Sequence, residues 1–131
     1  MDFKTYMRFV DGVTSGPSKN VDDLVERLRE LEAAGEQPAR FITGGFGLGA
    51  ESGEIEEIVK KVILQGKPLN DETKFHIKRE LGDVMWYVAQ MCMALDMDLD
   101  EIIDENFKKL ESRYPGGFSV ENSENRVKGD L

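Results

Sequence analysis

Apolar residues recur every three or four positions along almost the whole chain, the period of helices that bury one face. Phe3, Tyr6, Met7 and Val10 form one such stripe and predict a first helix over about 2–13. The run TSGPSKN interrupts it with glycine and proline. Val21, Leu24, Val25, Leu28 and Leu31 predict a second helix over about 20–34, ended by GEQP. A third covers about 39–65. Gly44, Gly45, Gly47 and Gly49 weaken its start but permit close approach of a neighbouring helix. Gly66 and Pro68 stop it. The fourth begins after the cap-like NDET and runs to about 95, and a fifth occupies about 99–113. No alternating β-branched run bounded by turn residues occurs, so the expected class is all-α, an antiparallel helical bundle. From YPGGF onward the chain is polar and glycine-containing, and a mobile tail is expected over about 119–131.

The same periodicity places acids. On a helical wheel of about 100° per residue, Glu51 and Glu54 edge the stripe of Leu48, Ile55, Val59 and Val62. Glu80 and Asp83 edge Val84, Val88, Met91 and Leu95 at the same angular offset. The short link QGKPLN folds the third and fourth helices into an antiparallel hairpin, which brings both acid edges to one side. With the turn near residue 67, residues whose numbers add to about 134 lie level, so Glu51 meets Asp83 and Glu54 meets Glu80. Like charges ~4 Å apart repel by about 4 kcal/mol at an effective dielectric of about 20, so a cation is expected between them. Oxygen-only donors favour Mg²⁺, with Mn²⁺ as a substitute, over zinc or copper. A di-iron bundle site would need two Glu-x-x-His motifs. His76 is the only histidine, completes no such motif, and reads as an exposed residue of its helix's first turns. Glu56, Glu57 and Glu101 read as solvated charges.

Composition limits what such a site can serve. The 131 residues fit one domain, 1–131. A net charge of −9 repels a nucleic-acid backbone or an anionic membrane, so neither is an expected partner. A small anion would need a metal or a local cationic cluster. Cys92 alone excludes an internal disulfide framework and suits a reducing compartment. No apolar run approaches the ~18 residues of a spanning helix, and a soluble cytoplasmic protein is expected.

GLGAESGE, then ELGDVMWYV, then NFKKLESRYPGGF together resemble the MazG-like family of all-α nucleoside triphosphate pyrophosphohydrolases, over about residues 41–118. The shared pattern is Glu-x-x-Glu, a spacer, Glu-x-x-Asp, and a Lys-x-x-x-Arg-Tyr-Pro end. Relatives often carry two adjacent acids before the first spacer, where this chain has Ala50 beside Glu51. The resemblance implies cleavage of a nucleoside triphosphate to monophosphate and pyrophosphate, with Mg²⁺ held by Glu51, Glu54, Glu80 and Asp83. A carboxylate not fully engaged by metal can accept the proton of the attacking water, and Glu54 is the candidate, although the spacing does not rank it above Glu51.

Tyr87 and Gln90 fall on the acidic edge, where they could meet base, sugar or phosphate, and Lys61 shares the edge of Glu54. Trp86 falls on a second apolar face and reads as packing against another helix or subunit. Asn106, Lys109 and Arg113 recur at helical spacing on the last helix. Lys109 and Arg113 suit the helix dipole as C-terminal cations. The resemblance makes them phosphate contacts instead, with Asn106 near the nucleotide. Apolar positions on both sides of the fourth helix imply a homo-oligomer. The resemblance favours a tetramer built as a dimer of dimers. Alternatives within reach of the sequence are a hydrolase of guanosine tetraphosphate-type alarmones and a non-catalytic nucleotide- or metal-binding oligomer.

Overall fold

The computed structural model describes residues 1–125. It contains α1 (Phe3–Val13), α2 (Gly16–Lys19), α3 (Val21–Ala33), α4 (Pro38–Gln65), α5 (Asp71–Leu95), α6 (Leu99–Arg113) and α7 (Val120–Glu124). Among the described residues there is no strand, and the class is all-α. The helix starts follow from local chemistry. The Asp2 carboxylate accepts from the Thr5 amide at 2.7 Å, and Asn20 Oδ1 accepts from the Asp22 and Asp23 amides. Pro38 opens α4 in its first turn, where a missing N–H leaves no hydrogen bond unmade. Asn70 Oδ1 accepts from the Thr73 amide at 3.0 Å. NDET therefore caps and forms the first turn of α5 rather than preceding it.

Helices α4 and α5 pack as an antiparallel hairpin, and this pair is the structural centre of the chain. Gly66 ends α4 at φ 74°, a conformation that favours glycine, and the Lys67 amide donates to the Lys61 carbonyl at 3.0 Å. Thr73, which is buried, donates its hydroxyl to the Pro68 carbonyl at 2.9 Å and closes the turn. At the open end, Gln37 Nε2 donates to the Met93 carbonyl at 3.0 Å, and Arg40 Nη1 donates to Gln90 Oε1 at 2.8 Å. Between these ties the glycines have a packing role. A Cβ on Gly44 would lie 2.7 Å from the Met91 side chain and 3.2 Å from its backbone nitrogen, and one on Gly47 would overlap the Tyr87 ring. Both glycines are buried, and the helix stays continuous through them because close packing replaces the propensity they lack.

Two segments are more ordered than the sequence suggests. TSGPSKN holds the short α2 between α1 and α3. Part of the expected tail forms α7, capped where Ser119 Oγ accepts from the Asn122 amide at 3.2 Å. Asn122 Nδ2 donates to the Arg113 carbonyl at 2.9 Å, satisfying an orphan acceptor at the end of α6. The rest of the tail, 126–131, lies outside the described residues.

Burial is concentrated in the hairpin. Ile58 and Ala94 are the buried apolar side chains among the described residues. Helices α1 and α6 make little contact with any other helix, and their apolar stripes face outward, with Phe3 72% and Phe107 62% exposed. No helix among the described residues is long and apolar enough to cross a membrane.

Candidate functional site

Glu51 on α4 and Glu80 and Asp83 on α5 each offer one oxygen to a cluster whose atoms all lie within 4.8 Å of one another. The glycine notch explains the level at which they meet. Tyr87 sits against Gly47, one turn before Glu51 on α4 and one turn after Asp83 on the antiparallel α5. Stepping one turn along both helices therefore brings Glu51 and Asp83 together, as the hairpin register predicts. Glu51 and Glu80 are half-buried, and Asp83 is exposed. Loss of solvent, first, and then the charges of Asp83, Glu80 and Glu54 and a side-chain hydrogen bond with Glu80 raise the Glu51 carboxyl above its ordinary pKa.

Charge neutralisation from the protein is slight. His76 Nε2 lies 2.9 Å from Glu80 Oε1, and among the described residues no lysine or arginine pairs with any of the three carboxylates. An all-oxygen, acid-only donor set of this kind fits a hard divalent ion. Donors at ~2.1 Å from Mg²⁺ stand at most ~4.2 Å apart, a span comparable with the separation of these oxygens.

Glu54 departs from the expected quartet. It is exposed and lies outside the triplet, although its charge is felt at Glu51. Glu80, its level partner, shares a side-chain hydrogen bond with Glu51 and lies 2.9 Å from His76 Nε2. Three acids converge, and the fourth stands beside them on the same helix edge.

The other expected residues divide between the hairpin and α6. Tyr87 is half-buried, with its ring packed on Gly47 and edge-on to Trp86 at 4.8 Å between centroids. Trp86 itself is 54% exposed. Lys61 pairs with Glu57 at 2.9 Å, one turn away on α4. Asn106 and Lys109 are exposed on α6, and the Arg113 guanidinium lies 6.0 Å from the centroid of the Tyr114 ring. Among the described residues, α6 makes little contact with the hairpin.

Two polar contacts went unread in the sequence. His76 and Glu80 are four apart on one helix, a spacing at which side chains meet. That signal was present and points directly at a cluster member. The Arg40–Gln90 hydrogen bond crosses between helices and has no local signature beyond the hairpin register.

The hairpin with its paired acidic edges defines a class, and comparison with known proteins agrees. Residues 47–118, more than half of the chain, match the MazG nucleotide pyrophosphohydrolase domain, and the protein belongs to that family. It is also 43% identical over 83 residues to "Gene 37 protein" of Mycobacterium phage L5, covering 62% of this chain and 72% of that protein. No solved structure matches the chain. The matched segment contains the whole carboxylate cluster and all of α5 and α6.

Proposed function

We propose that the protein is a Mg²⁺-dependent nucleoside triphosphate pyrophosphohydrolase that converts (d)NTP to (d)NMP and pyrophosphate in the cytoplasm, as a control on the nucleotide pool. The observation that carries this reading is the Glu51–Glu80–Asp83 cluster on a hairpin within a nucleotide pyrophosphohydrolase domain. Those three residues would hold Mg²⁺, or Mn²⁺ in its place. A divalent ion supplies neutralisation of the polyphosphate and lowers the pKa of the attacking water.

The chain's own groups do the rest. In this reading Glu54 accepts the proton of the attacking water, and its exposure beside the cluster and outside the triplet supports that role. His76 donates toward Glu80 Oε1 and holds that carboxylate against Glu51. Tyr87, fixed in the Gly47 notch one turn from Asp83, marks where the nucleoside enters, with Lys61 further along the edge of α4. Asn106, Lys109 and Arg113 contact substrate in a homo-oligomer, preferably a dimer of dimers, in which α6 of one copy closes over the hairpin of another. The outward apolar stripes of α1 and α6 support such an assembly.

Assay of the purified protein with Mg²⁺ across the NTPs and dNTPs in ¹⁸O-labelled water tests the reading. Pyrophosphate and monophosphate should appear, with label in one of them. Release of inorganic phosphate with a nucleoside diphosphate, or no turnover of any triphosphate, contradicts it.

A further inference from the structure

The charged edge of the hairpin continues past the carboxylates. One turn nearer the α4–α5 connection lies a cavity of about 290 Å³, lined by Lys67, Glu72, Thr73, Phe75, His76 and Arg79. His76 belongs to both places, since it lines this cavity and its Nε2 lies 2.9 Å from Glu80 Oε1. The cavity and the carboxylate triplet are therefore contiguous.

Their charges are opposite. The triplet is wholly acidic, whereas the cavity sets Lys67 and Arg79 against the single acid Glu72 and adds an imidazole. Among the described residues neither Lys67 nor Arg79 forms an ion pair, while Lys61, the nearest cation on α4 to the connection, is held by Glu57. Lys67 is half-buried, and its amide is tied to the Lys61 carbonyl, so its backbone is fixed. The buried Thr73 hydroxyl is given to Pro68 and anchors the wall. Phosphate oxygens take charge-assisted hydrogen bonds from such donors, Arg through its planar fork and Lys as a point charge. In a chain of net charge −9, a cationic cavity touching the metal-binding edge is an unusual placement.

We propose that this cavity is the subsite for the terminal diphosphate of the substrate, with Lys67 and Arg79 as its phosphate-binding residues and His76 at the junction with the carboxylates. The inference rests on the hydrolase reading above for the identity of the substrate. It fixes a direction: the leaving diphosphate points to the α4–α5 connection, and the nucleoside points toward Tyr87 and the start of α4. It also assigns part of the phosphate recognition to the hairpin itself, independently of α6.

The test is calorimetric titration of inorganic pyrophosphate, in the presence of Mg²⁺, into the full-length protein and its Lys67→Met/Arg79→Gln variant, with a nucleoside monophosphate as the second titrant. The substitutions keep the aliphatic stems, and the two single variants repeat the measurement with less perturbation. Loss of two charge-assisted contacts should weaken pyrophosphate binding roughly tenfold or more, while monophosphate affinity stays within about twofold. Absence of pyrophosphate binding by the wild-type protein, equal affinity in the double variant, or equal weakening of both titrants overturns the subsite. The two readings fail separately. If triphosphates are hydrolysed but the double variant binds pyrophosphate normally, the subsite falls and the hydrolase stands. If no triphosphate is hydrolysed yet the double variant loses pyrophosphate, the hydrolase falls and an anion site remains.

Discussion

The hairpin and α6 both carry charged residues at helical spacing, yet the molecule holds them in different ways. On the hairpin, Glu51, Glu80 and Asp83 are brought together by a register fixed at the Gly47–Tyr87 notch and tied at both ends by hydrogen bonds. On α6, Asn106, Lys109 and Arg113 share a helix that makes little contact with the hairpin among the described residues and turns Ile103 and Phe107 outward. The first set receives its geometry from one subunit. For the second set, the proposal above is that a second copy of the chain covers α6. The contrast separates what the single chain builds, an acidic edge able to hold a metal, from what the proposed assembly would add, closure over the nucleotide.

The largest effects should come from the hairpin. Asp83→Asn or Glu51→Gln removes a donor from the triplet and should lower kcat/KM roughly 10²–10³-fold with the helical circular dichroism unchanged. Glu54→Gln sharpens the comparison within the site. Standing outside the triplet, it should cut kcat while leaving Mn²⁺ affinity within about twofold of wild type. A Glu54→Gln variant that loses metal as Asp83→Asn does would return Glu54 to the ligand set.

Next in size are changes on α6. Phe107→Asp places a charge in its exposed apolar stripe and should reduce the assembled mass seen by light scattering. If the α6 cations reach a neighbouring copy's hairpin, kcat/KM should fall about tenfold in Phe107→Asp and KM should rise in Arg113→Ala, with metal binding intact in both. A monomeric Phe107→Asp protein with full kcat/KM would show that α6 adds nothing to the site.

The hairpin was legible in the sequence because its information is periodic. Wheel angle and a short link gave the shared acid edge, and counting back from the turn gave the Glu51–Asp83 pairing that the structure contains. Glu54 was not resolved by that reasoning, since backbone register sets the height of a side chain but not which carboxylate its neighbour selects. Glu80 selects Glu51 and His76. The glycines were legible as permission for close approach. Which side chain fills each notch, Met91 at Gly44 and Tyr87 at Gly47, needed three-dimensional packing. The placement of α6 was out of reach for a different reason: its spacing is clear, but its apolar stripe does not say what it meets.

Smaller effects test the notch. Gly47→Ala inserts a methyl into the Tyr87 ring and should cost about 1–3 kcal/mol in denaturant or thermal unfolding, with Tyr87→Leu in the same background recovering part of the loss. Undiminished stability in Gly47→Ala would mean the hairpin is less closely packed there than the structure shows.

The smallest effect is electrostatic. Because folding raises the Glu51 pKa, the metal-free native state binds more protons than the unfolded chain just above the ordinary carboxylate range, and stability declines as pH rises through that raised interval. In chelator, Glu51→Gln should flatten this part of the pH–stability curve and melt slightly higher than wild type above it. A steeper decline in the variant would contradict the repulsion assigned to the cluster.

The central claim, that three carboxylates on one hairpin hold a divalent ion, is tested most directly by following Mn²⁺ binding with electron paramagnetic resonance. The wild-type protein should bind Mn²⁺, Mg²⁺ should compete, and Glu51→Gln, Glu80→Gln and Asp83→Asn should each weaken binding by about tenfold or more, while Glu56→Gln, on the solvated face of α4, should not. Wild-type Mn²⁺ affinity in Asp83→Asn and Glu51→Gln would contradict the account.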